Sequence, residues 1–214
     1  MPRKSFPPNS ICPFHITARS VNRVRFEPPM DDLWTLMENH LFFVAHAFEI
    51  KIHSFVLMPN HFHLLASSPQ ANMGTAMNFF LRETSKEMNR LTGKINQNYG
   101  TRHHKCLLGD YHYFMNAYKY VYQNPLRASL CTYAESYPYS TLAGLCGVRP
   151  LRIPVVEDTI LFDPNFDESA LQWINQRPSL NLEEEMRLGL RRSMFELKAS
   201  FQNGKTSRLQ SQLL

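Results

Sequence analysis

Apolar positions recur along this chain with two different periods, and the switches between them mark out its elements. From Pro29 to Ala45, Leu33, Met37, Leu41 and Val44 recur at helical spacing with His40 among them, and Asp31 and Asp32 occupy the first turn, where negative charge suits the helix dipole. Phe48 to Leu57 is rich in Phe, Ile and Val and reads as a strand. Pro59-Asn60 is turn chemistry, and His61 to Ala66 reads as the returning strand of a hairpin. Asn72 to Leu91 is a second helix whose inner stripe is Met73, Met77, Phe80, Leu81, Thr84, Met88 and Leu91, closed by Thr92-Gly93. Cys12 to Ala18 is a first strand and Arg102 to Gly109 a short fourth one. Tyr111 to Asn124 lacks Gly and Pro and is long enough for a third helix.

The order strand, helix, strand, strand, helix, strand has an economical solution. Two helices cover one face of an antiparallel sheet and bury both apolar stripes against it, an α+β core of ferredoxin-like arrangement. The Tyr111 helix then covers the histidine-bearing strand from the opposite side. Residues 131–142 (CTYAESYPYSTL) form an aromatic strap docked back on the core. From Gly144 the pattern changes to Gly and Pro with little periodicity, which sets a boundary between a unit of residues 11–143 and a C-terminal helical extension of residues 144–201. Within the extension, Asp167 to Gln176 is a short helix carrying Trp173. Asn181 to Phe201 is a longer one, with an Asn cap, early glutamates, late Arg191, Arg192 and Lys198, and the apolar face Met186, Leu190, Met194 and Leu197. Residues 1–10 are a polar lead-in, and residues 202–214 a basic tail expected to be disordered.

Composition narrows the class. At 214 residues, 43% hydrophobic and 19% charged, the chain can bury a core. A net charge of +5 is compatible with a nucleic-acid partner. The cysteines Cys12, Cys106, Cys131 and Cys146 are scattered, without a Cys-x-x-Cys pair, so reduced thiols in a cytoplasmic setting are expected rather than a disulfide framework or a structural zinc site. No apolar run approaches a membrane span, and the first ten residues lack the apolar stretch of a signal peptide.

The candidate chemistry begins with His61 and His63. On a strand, residues two apart share a face, so the two imidazoles stand side by side while Phe62 and Leu64 go to the core. Such a pair is a start for a divalent metal site, and equally a pair of polar residues facing solvent. Tyr120 and Asn124, four apart, share a face of the third helix. Laid over the histidines, that helix adds an amide oxygen and a phenol, a metal beside a nucleophile able to attack a phosphate. Tyr113 lies near the Asn124 face, whereas Tyr118 and Tyr122 pair on another and suit packing or base stacking. Asn124 precedes Pro125, which disfavours helix there and predicts a bend at Asn124. His40 and His46 read as packing or surface residues, the register of His53 is open, and the adjacent His103 and His104 face opposite ways. Basic residues placed to meet phosphates are Arg19 and Arg23 in the loop after the first strand, Arg82, Lys86 and Arg90 on one face of the second helix, Arg102, Lys105 and Arg127. The row on the second helix can also be a solvated face balanced by Glu83 and Glu87, and Arg127 can also cap its helix end.

Met58-Pro59-Asn60-His61-Phe62-His63, followed by Tyr120-x-x-x-Asn124-Pro125-x-Arg127-Ala128 and preceded by Phe14-His15-Ile16-Thr17-Ala18-Arg19, resembles the single-tyrosine HUH transposases, in particular their REP-associated branch. The resemblance spans roughly residues 11–142. It implies a ferredoxin-like catalytic domain in which His61, His63 and Asn124 bind Mg²⁺ or Mn²⁺. It also implies that Tyr120 cleaves single-stranded, hairpin-forming DNA, leaving a 5′-phosphotyrosine and a free 3′-hydroxyl, as a monomer or homodimer. Two other readings of the same residues stay open. One is a metal-dependent hydrolase that uses an activated water and forms no covalent adduct. The other is a single-strand binding module whose aromatics stack bases.

Overall fold

The computed structural model of the chain describes residues 8–95, 97–156 and 168–195. In chain order its elements are β1 (Phe14–Arg19), α1 (Met30–Ala47), β2 (Lys51–Met58), β3 (His61–Ser67), α2 (Met73–Thr92), β4 (His104–Leu107), α3 (Tyr111–Tyr122), α4 (Asn124–Arg127), α5 (Thr141–Leu145), α6 (Glu168–Asn175) and α7 (Leu180–Gly189). The four strands form one antiparallel sheet of order β2-β3-β1-β4, the ferredoxin-like arrangement expected. Strand β2 starts at Lys51 rather than Phe48 because α1 runs on to Ala47 and Glu49 turns the chain with a left-handed φ of 53°.

Side-chain alternation divides the interior in two. Phe14, Ile16 and Ala18 of β1, with Phe62, Leu64 and Ala66 of β3, face α1 and α2 and meet Leu33, Trp34, Met37, Leu41, Met77, Phe80 and Met88. Val56, Met58, Leu65 and Cys106 face the other way, toward Ala117, Tyr118, Val121 and Tyr122 of α3. A bulge between Ile52 and Ser54 lets Ile52 share the first core with Phe55 and Leu57 despite the odd spacing. His53 sits at that bulge, with Nε2 2.6 Å from Ser67 Oγ and its ring against Phe114.

Both outer strands of the sheet are covered. On β2, Leu57 N donates to Tyr139 O (2.9 Å), Leu57 O accepts from Tyr137 Oη (2.8 Å), and Phe55 N donates to Thr141 Oγ1 (2.9 Å). The aromatic strap thus caps the edge that β2 would expose. On β4, Leu107 N donates to Ser193 O and Leu107 O accepts from Phe195 N, both at 2.9 Å.

This second contact corrects the expected helix from Asn181 to Phe201. Helix α7 starts after Ser179, whose side chain makes no capping hydrogen bond, so the expected cap Asn181 lies inside it; the helix ends at Gly189, and the chain then turns to pair with β4. A β-carbon at Gly189 would lie 2.6 Å from the Phe195 ring, so glycine makes room for the return. The apolar repeat through Met186, Leu190 and Met194 is shared between a helix and an extended segment, and backbone pairing with Leu107 overrides it. The last part of that expected helix, with Leu197 and Lys198, lies outside the described residues, as do residues 1–7 of the lead-in and the whole basic tail. Among the described residues no helix is long and apolar enough to cross a membrane.

The first core makes a direct prediction. Phe62 is fully buried among Phe55, Phe80 and Tyr99, with ring centroids at 5.8, 5.6 and 6.4 Å. Phe62→Ala should cost about 3–5 kcal/mol. The loss is read as a lower urea midpoint at unchanged slope.

Candidate active site

The register of β1 against β3 builds the site. Thr17 lies opposite His63 and Arg19 opposite His61, while His15 lies between Leu65 and Cys106. All three histidines therefore stand on the α3 side of the sheet. The centroids of His61 and His63 are 4.9 Å apart, and those of His15 and His63 5.1 Å.

Hydrogen bonds fix how these rings present their nitrogens. His61 Nδ1 lies 2.6 Å from Asn60 Oδ1, and Asn60 Nδ2 donates to Arg23 O at 2.7 Å, which settles the orientation of the amide. An amide oxygen only accepts, so His61 carries its proton on Nδ1 and leaves the Nε2 lone pair available. His63 Nδ1 is 2.8 Å from His15 Nε2, in a buried pair where the residues are 4% and 2% exposed. His63 Nε2, His15 Nδ1 and Thr17 Oγ1 are buried with no hydrogen-bond partner. An orphaned imidazole nitrogen costs free energy unless something else occupies it.

Helix α3 supplies the other side. Asp110 caps it, its side chain accepting from His112 N at 2.8 Å. The Tyr120 ring meets His63 edge-on at 6.0 Å and His15 at 6.4 Å. Tyr118 and Tyr122 are buried and pack on each other at 4.8 Å, which leaves no face for a base and ends their candidacy for stacking. Tyr113 packs on Phe195. The helix breaks after Tyr122, at Gln123, and a new turn starts at Asn124 with Pro125 in its first turn; the bend expected at Asn124 falls one residue earlier, and Asn124 is itself helical. Gln123, buried at the break, donates through Nε2 to Ile174 O (2.6 Å) and Gln176 O (3.0 Å). Asn124 Nδ2 donates back to Tyr120 O (2.9 Å) and Val121 O (3.2 Å), so its amide oxygen is the group left for a ligand.

The expected basic residues separate into two sets. The Arg127 guanidinium carbon lies 4.0 Å from the Tyr120 ring centre, and Arg19 is paired in register with His61, with Arg23 within its electrostatic reach. Arg82, Lys86 and Arg90 lie on α2, on the far side of the sheet, and each is paired with Glu83 or Glu87 of the same helix. Lys105 points to the α2 side of β4, its ammonium 5.5 Å from the Phe14 ring centre, and Arg102 is exposed in the preceding loop. Sequence reasoning missed His15 as a site residue, although it is the polar step in the alternating run Phe14-His15-Ile16. It also missed Arg187 and Arg191, four and eight residues beyond Glu183, which lie within electrostatic reach of Tyr120 and Arg19 respectively.

Burial keeps the imidazoles neutral. Desolvation, then the charges of His104 and His61, lowers His15 to about 3. Desolvation, then Arg19, lowers His61 to about 4. Desolvation, then His61, His15, Arg19 and Arg127, holds His63 well below 6.5. Neutral imidazole is the form that ligates a metal. Among the described residues no three His, Cys, Asp or Glu side chains converge as a metal cage. A third donor beside His61 and His63 therefore has to be of another kind, and the amide oxygen of Asn124 is one.

A four-stranded ferredoxin-like sheet with a histidine pair on one strand and a tyrosine helix laid across it is the class of molecule described so far. The chain belongs to the IS200-like transposase family, whose model matches residues 12–124. It is also similar to a solved structure of a REP-associated tyrosine transposase bound to a REP hairpin. That likeness has 15% identity and a TM-score of 0.56 over 74% of this chain and 93% of the other, and it bears on the fold. No curated protein matches the chain in sequence.

The depressed imidazoles set a pH dependence. Unfolded histidines take up protons near 6.5, whereas His61 does so only near 4 and His15 near 3 in the folded chain. Between those values the unfolded state binds more protons, so stability is fully present above about pH 6.5 and is lost as pH falls toward 4. His53 and His103, each lowered to about 4 chiefly by burial, add to the same slope. Urea midpoints should fall between about pH 7 and 5, with a shallower slope in His63→Gln.

Proposed function

We propose that this protein is a metal-dependent transposase that cuts and rejoins single-stranded, hairpin-forming DNA through a 5′-phosphotyrosine on Tyr120. The observation that carries the reading is the juxtaposition of the Tyr120 ring with His63, whose Nε2 is buried and unpartnered, and with the Arg127 guanidinium. Membership of a transposase family supports it.

The residues fit a divalent ion, read here as Mg²⁺ or Mn²⁺. His61 and His63 would each offer Nε2, and Asn124 its amide oxygen, because the remaining polar atoms of all three side chains are already engaged. When bound, the ion supplies charge against a non-bridging oxygen of the scissile phosphate. His15 would act one step behind, holding the His63 ring and its tautomer through the 2.8 Å contact, as groups that bond to metal ligands do.

Tyr120 Oη attacks phosphorus in line, the bond from phosphorus to the 3′-oxygen breaks, and the phenolic proton is in balance replaced on the new 3′-hydroxyl. The 5′-phosphate stays on Tyr120 as a phosphodiester. A second 3′-hydroxyl attacks it, releases the tyrosine with its proton restored, and rejoins the strand. Bond energy is conserved in the adduct, so no nucleotide cofactor enters. Arg19, Arg23 and Arg127 supply positive charge along the strand. The catalytic unit is taken as residues 11–143, with residues 144–201 attached as an extension.

The test uses hairpin-bearing single-stranded DNA labelled at either end, incubated with protein and Mn²⁺ and run on a denaturing protein gel. Label from the 3′ side should travel with the protein, and the adduct should vanish with chelator and in Tyr120→Phe, which still binds DNA. Cut DNA without adduct would identify a hydrolase, and binding without cutting a passive module. The metal site makes a separate prediction. His61→Ala with His63→Ala should abolish Mn²⁺ binding in titration calorimetry, and His15→Phe should weaken it about 10- to 100-fold.

A further inference from the structure

The family match ends at Asn124, yet the face of Tyr120 is covered by a residue beyond it, and that residue is held from farther along still. Arg127 Nε lies 3.5 Å from Glu183 Oε1 of α7, with side chains 18% and 14% exposed. The same carboxylate oxygen is 3.7 Å from Arg177 Nε. Arg127 Nε has no hydrogen-bond partner, so charge and stacking hold the guanidinium in place.

Arginine has a long, rotatable stem, and this one stands near Arg19, both guanidinium groups acting on His63. Left without a carboxylate, a half-buried guanidinium beside other cations would swing toward solvent. Glu183 lies between Arg127 and Arg177 and removes that reason to leave. Its own position is fixed from below. Met186 and Leu190 lie in the second core, Leu190 O is 2.9 Å from His104 Nε2, and Phe195 pairs with Leu107 on β4.

We propose that Glu183 is a positioning residue for strand cleavage. From the C-terminal helix it keeps the Arg127 guanidinium over the Tyr120 ring and so fixes the angle at which the hydroxyl meets the phosphate. This rests on Tyr120 being the nucleophile. A nucleophile displaced by an ångström loses far more rate than binding.

The experiment measures single-turnover formation of the protein–DNA adduct at saturating hairpin DNA and Mn²⁺. The proteins compared are wild type, Glu183→Gln, Arg127→Gln and the double variant. Glu183→Gln should slow adduct formation about tenfold without weakening DNA affinity, since it removes a negative charge. In the Arg127→Gln background the same change should do nothing more, and Glu183→Asp should recover part of the rate. An unchanged rate in Glu183→Gln, or an equal loss with and without Arg127, overturns the proposal. Tyr120→Phe runs alongside, and an adduct that survives there overturns the nucleophile assignment and this inference with it. A second readout needs no DNA. Arg127 side-chain protons over the Tyr120 ring carry an upfield shift in proton NMR, which Tyr120→Leu removes. Glu183→Gln should remove it too, and its persistence refutes the role of Glu183 even if adduct chemistry never appears.

Discussion

The register of β1 against β3 is the constraint on which everything else depends. It sets Ile16 opposite Leu64 on the side of α1 and α2, and Thr17 opposite His63 on the side of α3. Because strand side chains alternate, a slip by one residue would turn the histidines into the first core and Phe62 and Leu64 out of it. The apolar stripe of the helix pair therefore specifies the site indirectly. Burying Phe62 and Phe80 together is what points His61 and His63 at the tyrosine helix.

The site is held in tension. Three imidazoles and a threonine hydroxyl share one interior face, and several of their polar atoms lack partners. Such groups cost stability when left unmatched, and proteins tolerate them mainly where function requires it. The cost is borne by the two cores that sandwich the sheet and by the Pro59-Asn60 turn. Pro59 O accepts from Phe26 N, and Asn60 O from Ser20 N. Those contacts lock the hairpin tip against the loop that carries Arg23. The imidazoles are thus offered on a hairpin whose tip is tied by backbone hydrogen bonds to the neighbouring loop.

The periodic parts were legible from the chain. Helices with a strong apolar stripe and the His-x-His strand followed from spacing alone, and a break beside Asn124 followed from Pro125, although it falls at Gln123. What spacing could not convey was anything set by distant partners. His15 looked like one polar step in a strand until the register put it 2.8 Å from His63. The row Arg82, Lys86 and Arg90 looked suited to a phosphate track, but only the sheet decides which side of the molecule a helix occupies, and α2 lies on the far side. The helix after Asn181 was read too long because Met194 continues the repeat, while Gly189 and pairing with Leu107 end it. Glu183 looked like dipole chemistry at a helix start; it does stand in the first turn of α7, and only the fold shows that it is also the ion-pair partner of Arg127.

The coverage of β2 by the aromatic strap and of β4 by residues 193–195 has a consequence for assembly. A sheet normally grows by adding a strand to an unpaired edge, whether from a second copy or from an extended peptide. Here the outward amides and carbonyls of Phe55, Leu57 and Leu107 are already spoken for by the chain itself. At those positions a companion molecule meets side chains rather than free backbone, and recognition there is written in shape and charge rather than in backbone ladders.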